Sequence, residues 1–270
     1  MQICLNNLLS WANAWQLSIS IKKCFAIYIG GRATLNNVLS KCDFNIGNDI
    51  VKRCDSVVDL GISIDCNLKF SIHIGNIVRK CFIRSCLIHK CFLSKNIPTL
   101  VKAYKTFVLP LLEYNSPVWS PHLLKDINLI ERMQHRFTKR LPGMYNMSYN
   151  DRLSVLHLDR LEARRMRADM IMAYKIIFGL TSINCHDFFI FNTCPTLTRG
   201  HRYKLLQPNC SCDTRRYYFS VRAVRVWNAL PVVTDFTSLH AFIYVSLFRR
   251  KKTTARVNRT KINNKIKISK

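Results

Sequence analysis

The pattern of hydrophobic and polar positions changes twice along the first third of the chain. Residues 3–15 repeat apolar side chains at the spacing of an amphipathic helix. Apolar and polar residues then alternate over residues 17–21, 25–29 and 57–64, which predicts β-strands, with a turn near residues 45–49. From residue 70 the period becomes helical again. The chain is therefore predicted to begin with a small region of helix and strands.

Residues 70–178 are predicted to be all-helical, with interruptions that single residues mark. Pro110 lies inside an apolar helical pattern and should break it. Ser148, with Asp151 in the first turn, has the features of a helix start. A helix over residues 159–178 should stop at Gly179. These patterns together predict an α+β fold that is mainly α.

Shifts in pattern and composition predict five segments. They are a helix with strands (1–69), a helical bundle (70–179), a loop or linker (180–213), a region that mixes aromatics with arginines (214–248) and a basic tail (249–270). The tail has ten basic residues and no acid, so we expect it to be disordered in isolation.

Positive charge is the strongest indication of function. The chain has 42 Lys and Arg against 15 Asp and Glu, a net charge of +27, which favours nucleic acid as partner and an acidic membrane surface second. Two helical patterns place cations on one face. The first set is Arg132, Arg136, Lys139 and Arg140, opposite an apolar stripe, and the second set is Arg160, Arg164 and Arg167. The simpler alternative for each arginine is a solvated helix face.

Several other classes of protein are disfavoured. The sequence has no run of 18 apolar residues, so it predicts no membrane span. Its N-terminus has no secretory signal. We therefore expect an intracellular protein, nuclear or cytoplasmic, with reduced cysteines. The twelve cysteines include no C-x2-C pair, so we expect no bound metal. The open alternative is a metal-binding module built on Cys185, Cys194, Cys210 and Cys212.

Catalytic chemistry is not predicted for this chain. Two-metal catalysis needs carboxylates a few ångströms apart, and no two of the 15 acids are adjacent. Asp59 and Asp65 flank one predicted strand and would lie about 20 Å apart along it. The motifs of P-loop, α/β-hydrolase, dinucleotide-binding and zinc-protease enzymes are absent, and we expect no small-molecule substrate.

Long, ordered stretches resemble one known family. LEYNSPVWSPH, IERMQHRFTKRLPG and SYNDRLSVLHLDRLEARRMRADM resemble the C-terminal half of LINE-type, jockey-like reverse transcriptases of non-LTR retrotransposons. His201-Arg-Tyr-Lys-Leu, Arg215-Arg216, Phe219-Ser-Val-Arg222 and Trp227-Asn-Ala-Leu-Pro231 resemble the C-terminal signature of that family. The resemblance covers nearly all of residues 3–250.

This resemblance implies a truncated RNA-directed DNA polymerase. Residues 1–69 would be the end of the palm and residues 70–179 the thumb. The catalytic aspartates would precede Met1, so Mg²⁺ is expected only in the full-length family enzyme. Lys22 or Lys23 would match the family lysine near the incoming nucleotide, and Arg215 and Arg216 would contact nucleic acid. The remaining activity would be electrostatic binding of RNA, RNA–DNA hybrid or DNA; the alternative is a small basic RNA- or DNA-binding structural protein.

Overall fold

Helices dominate the structure, as the hydrophobic pattern predicts, and the strands are only two to four residues long. The computed structural model describes residues 1–29, 44–192 and 200–244. Three features of the sequence lie outside the described residues: Gly30-Gly31, where the strand predicted over residues 25–29 should end, Cys194 and the basic tail. The chain divides into two units, residues 1–80 and 81–270. An α+β fold that is mainly α is confirmed; the palm and thumb assignments stay predictions.

The first unit contains one helix and three two-stranded sheets in its described part. Its elements are α1 (Gln2–Ala14), a 3₁₀ turn (Ile21–Lys23), β1 (Phe25–Ala26), β2 (Asn45–Ile46), β3 (Asp49–Ile50), β4 (Lys52–Arg53), β5 (Ser56–Asp59) and β6 (Ile62–Asp65). β1 pairs in parallel with β4, while β2–β3 and β5–β6 are antiparallel. The helix predicted over residues 3–15 and the turn near residues 45–49 are both confirmed.

Two strand predictions in this unit are wrong. Residues 17–20 have no regular structure, because the backbone turns at Gln16 (φ 56°) and a 3₁₀ turn follows. Residues 57–64 form a hairpin instead of one strand, because Leu60 (φ 45°) and Gly61 (φ 82°) both adopt the left-handed conformation of a type I′ turn.

The hairpin changes the separation of the two aspartates that flank it. Asp59 pairs with Ile62, so it lies three residues from Asp65 along the hairpin, or about 10 Å, instead of about 20 Å. Asp65 has a local role, since its carboxylate accepts hydrogen bonds from the backbone N–H groups of Asn67 (2.9 Å) and Phe70 (3.0 Å). It therefore orders the turn that leads into the next helix.

That helix crosses from the first unit into the second, and mostly helical elements follow it. They are α2 (Ser71–Cys91), α3 (Ile97–Phe107), α4 (Leu109–Glu113), α5 (Ser116–Trp119), α6 (Leu124–Lys139), α7 (Tyr149–Val155), α8 (Leu161–Ile177), a 3₁₀ turn (Cys185–Asp187), α9 (Asp213–Arg216), α10 (Phe219–Asn228) and α11 (Leu239–Phe242). The predicted boundaries are confirmed: the helical pattern breaks next to Pro110, and Ser148 caps α7 by accepting a hydrogen bond from the Asp151 N–H.

Gly179 ends α8 as predicted. It adopts φ 67°, its N–H donates to the Ile176 carbonyl, and the Leu180 N–H donates to the Lys175 carbonyl. This pair of bonds is the Schellman motif, which satisfies carbonyls that the helix leaves without partners.

A buried polar network joins α3, α6, α7 and α8. The Gln134 side chain is fully buried; it accepts a hydrogen bond from the Tyr104 hydroxyl (3.1 Å) and donates to the Asp159 carbonyl (2.9 Å) and the Tyr149 hydroxyl (3.1 Å). Tyr149 in turn donates to Glu131. Because a buried polar group costs free energy unless it is paired, this network fixes how α6 lies against its neighbours.

The C-terminal signature residues bind one another in the structure. Trp227 donates its indole N–H to the Tyr203 carbonyl (2.7 Å), and its own carbonyl lies 2.9 Å from His201 Nε2. The Asn228 side chain exchanges two hydrogen bonds with the Leu205 backbone. Leu205 and Trp227 are buried, so residues 200–206, which were predicted as loop or linker, form a loop that packs on the core of the second unit through Leu205.

Candidate nucleic-acid interface

The exposed face of α6 is a stripe of basic and amide side chains. Its exposed members recur every three or four residues: Lys125, Asn128, Arg132, Arg136 and the C-cap residue Arg140. We call these five residues the α6 stripe; half-buried Lys139 flanks it. The stripe forms because the opposite face buries Ile130, Met133 and Phe137 in the core, as predicted.

Both acids of α6 point away from this stripe. Asp126 is buried, and Glu131 is half-buried and used within the fold. One oxygen of Glu131 accepts the Tyr149 hydroxyl, and the other accepts the first backbone N–H of α8, from Leu161, at 3.0 Å. The fold therefore removes the negative charge of the helix from its exposed face, and four cations remain there.

Three of the basic side chains rest on side chains outside α6. The contacts are Arg136 over the Phe82 ring (5.8 Å to the centroid), Lys139 over the Tyr145 ring (4.5 Å) and Arg140 Nη1 with Cys86 Sγ (3.7 Å). Aromatic faces attract cations without neutralising them, so these contacts orient the charges and leave them able to meet phosphates. Arg132 has no hydrogen bond or ion pair within the described residues.

Burial and neighbouring cations disfavour the protonated form of two histidines beside the stripe. Burial lowers the pKa of His89, and Arg140 lowers it further. Burial also lowers the pKa of His135, and Arg152 and Lys139 act in the same direction. The charge of this surface at neutral pH therefore comes mainly from arginine and lysine.

The second predicted stripe, on α8, is largely occupied by partners within the fold. Arg164 forms a bidentate ion pair with Glu113, and Arg167 lies 3.1 Å from the Asp159 carboxylate. Arg160 donates a hydrogen bond to the Asn150 side chain (2.9 Å). Two of its three arginines are therefore already neutralised within the fold. Phosphate binding there stays a prediction.

The other predicted contact residues lie on short turns. Lys22 and Lys23 are exposed on the 3₁₀ turn of the first unit. Arg215 and Arg216 are exposed on α9; Arg215 lies over the Tyr218 ring (5.5 Å), and Arg216 lies 3.1 Å from Asp213. That ion pair is solvent-exposed and of the kind that contributes about 0–1 kcal/mol, so it leaves Arg216 available.

Sequence reasoning missed Lys125, Arg225 and one buried arginine. Lys125 precedes Arg132 by seven residues, so extending the helical period backward would have found it. Arg165 is only 3% exposed, although it is bordered in the sequence by residues of the predicted stripe. Burial lowers the pKa of this guanidinium, and the neighbouring carboxylates of Glu131 and Glu162 oppose that effect.

The described residues contain no feature of a metal site or a membrane span. Within residues 1–29, 44–192 and 200–244, no three His, Cys, Asp or Glu side chains gather as metal ligands. No helix in the same ranges is long and apolar enough to cross a membrane. Of the four cysteines proposed as a metal module, Cys185 packs against the core, and Cys194 lies outside the described residues.

Two curated proteins share sequence similarity with this chain. An uncharacterized protein of Caenorhabditis elegans is 28% identical over 128 residues, which are 46% of this chain and 65% of that protein. The RNA-directed DNA polymerase from mobile element jockey of Drosophila melanogaster is 25% identical over 137 residues, which are 49% of this chain and 14% of that polymerase. No family model matches the sequence, and no solved structure matches the chain.

These similarities indicate a distant relation to a retrotransposon reverse transcriptase. The chain spans just under two thirds of the worm protein and a small part of the jockey polymerase. The relation agrees with the family resemblance of the sequence at this coarse level.

Proposed function

We propose that this chain binds the sugar–phosphate backbone of nucleic acid through the α6 stripe. The observation that carries the proposal is the sorting of charge on α6, where four cations share the exposed face and both acids are turned inward. Phosphates attract such a surface whatever the base sequence, because base edges take no part in the contact. Binding is therefore independent of sequence and sensitive to salt.

Helix geometry fits this role. Lys125 and Arg140 are 15 residues apart, which is about 22 Å along an α-helix, and a nucleic-acid strand advances about 3.4 Å per nucleotide along its axis. The stripe can therefore follow roughly six nucleotides of one strand. Cation–aromatic contacts hold Arg136 and Lys139 in place, which reduces the conformational entropy lost on binding.

In this proposal the chain corresponds to part of a jockey-like reverse transcriptase, with residues 70–179 acting as its thumb. The similarity to the jockey polymerase and the matching motif order support the assignment. The chain on its own extends no primer, because its sequence has no two adjacent carboxylates of the kind that hold the two metal ions in the family. A primer-extension assay with Mg²⁺ tests this part, and any template-dependent product would contradict it.

The test of binding is the affinity of the full chain for a short RNA–DNA hybrid at low salt. The double variant R132A/R136A removes two exposed charges, and we expect it to bind about tenfold more weakly. Lys105→Ala is the matched control, because Lys105 is an exposed cation on α3, outside the stripe. Equal affinities for wild type and R132A/R136A would contradict the proposal; an equal loss in Lys105→Ala would show a non-specific effect of net charge.

A further inference from the structure

A second cationic feature lies beyond the N-terminal end of the α6 stripe. It is a cleft of about 240 Å³ beside α9 and α10, lined in part by Gln207, Asn209, Arg216, Tyr217, Arg222 and Arg225. Small-molecule pockets usually have about 300–1,000 Å³, so this volume suits a single phosphate group rather than a whole nucleotide.

The arginines of the cleft differ in how far the fold has used them. Arg222 is saturated, because it binds Asp169 through two nitrogens and donates to the carbonyls of Pro117 and Tyr217. Arg225 is exposed and has no hydrogen bond or ion pair within the described residues. Arg216 pairs only with the solvent-exposed carboxylate of Asp213, so the guanidinium groups of Arg225 and Arg216 are both accessible to an anion. Planar guanidinium groups match phosphate oxygens in geometry as well as in charge.

An aromatic pair connects this cleft to the stripe. The His122 and Tyr217 rings stack with centroids 4.3 Å apart and an interplanar angle of 7°. His122 lies three residues before Lys125, the first cation of the stripe, while Tyr217 lines the cleft. The stacked rings therefore place the cleft next to the N-terminal end of the α6 stripe.

We propose that this cleft binds a backbone phosphate of the same strand that runs along the α6 stripe. Arg225 and Arg216 donate to the phosphate oxygens, and the Asn209 side-chain amide lies at the same cleft to add a neutral donor. The cleft extends the binding site past the end of α6, so a strand long enough to reach it binds more tightly than one that covers the stripe alone. This inference rests on the proposed function.

The test measures how affinity depends on strand length. The probes are single-stranded oligothymidylates of roughly six and roughly twelve nucleotides, the shorter of which matches the stripe alone. Wild type should bind the longer probe more tightly, and R216A/R225A should lose about tenfold on the longer probe and less than twofold on the shorter one. Arg202→Ala, an exposed arginine at a different cleft, is the control.

Separate outcomes overturn the inference and the proposed function. If R216A/R225A matches wild type on both probes, or loses equally on both, the cleft is not the far end of the site. If R132A/R136A also binds the shorter probe as tightly as wild type does, the proposed function fails as well. Arg225→Glu, which reverses one exposed charge, repeats the test without disturbing the Arg216–Asp213 pair.

Discussion

Arg222 provides the sharpest test of how the second unit is held together. Its side chain is 17% exposed and joins α10 to Asp169 on α8 through two bonds of 2.9 Å. It also donates to the Pro117 carbonyl (2.6 Å) and the Tyr217 carbonyl (2.9 Å). Replacing Arg222 with alanine removes all four bonds and leaves a buried carboxylate without its main partner.

We expect Arg222→Ala to lower the free energy of unfolding strongly, because an unpaired buried charge destabilises a fold more than a lost surface contact does. Breaking a buried ion pair by removing one partner costs about 3–5 kcal/mol. Buried Arg165 also attracts the Asp169 carboxylate, so we expect the lower end of that range, about 3 kcal/mol. The double variant R222M/D169L removes the stranded charge and should recover part of the loss.

Native-state hydrogen exchange of the full chain measures this loss of stability in the helices that carry the Arg222–Asp169 pair. Opening free energies of amides in α8 and α10 should fall in R222A and stay unchanged in R225A, a variant at an exposed arginine one turn further along α10. Burial already raises the pKa of Asp169, and the loss of Arg222 should raise it further. Protonation then relieves the unpaired charge, so the difference between R222A and wild type should shrink as the pH falls. A difference in opening free energy between wild type and R222A below about 1 kcal/mol, or a difference that does not change with pH, would refute this reasoning.

Three further predictions concern the second unit. Gln134→Leu leaves the buried Tyr104 hydroxyl and Asp159 carbonyl unpaired and should lower the free energy of unfolding by about 1–3 kcal/mol per group. The exposed change Asn128→Leu should lower it by less than about 0.5 kcal/mol. Urea unfolding measures both values. Gly179→Ala places a Cβ at φ 67° and should cost about 1 kcal/mol in the same assay. Burial lowers the pKa of His89, His135 and His201, so the unfolded chain binds protons that the folded chain does not, and thermal stability should fall as the pH drops below about 6.5. His89→Gln should reduce this fall in melting temperature, and an unchanged melting temperature of the wild type between neutral pH and pH 5.5 would contradict the assignment.

The parts of the fold that sequence reasoning predicted are those with local signals. Pro110, Ser148 and Gly179 each fix the backbone within one turn, so the helix boundaries they mark appear where predicted. The hairpin at residues 56–65 was missed because Leu60, a residue with no turn preference, adopts a left-handed conformation.

Long-range pairing explains what was missed at the candidate site. Arg164 looked like a phosphate ligand because its partner Glu113 lies 51 residues away in sequence. His201 and Trp227 belong to the stretches that resemble the family's C-terminal signature, and the structure adds that they bind each other across 26 residues and hold a loop on the core. The stripe on α6 could be predicted, because the helical period alone places its arginines on one face. The inward position of Glu131 could not be predicted, because it depends on contacts with Tyr149 and Leu161.

The salt dependence of binding tests the central claim most directly. Single-stranded nucleic acid gives a slope of log affinity against log salt concentration of about −0.7 for each phosphate neutralised. If the four cations of the stripe and Lys139 each meet one phosphate of the shorter oligothymidylate, the slope should be about −3.5, and R132A/R136A should reduce its magnitude by about 1.4. A slope near zero, or the same slope in wild type and R132A/R136A, would contradict the account.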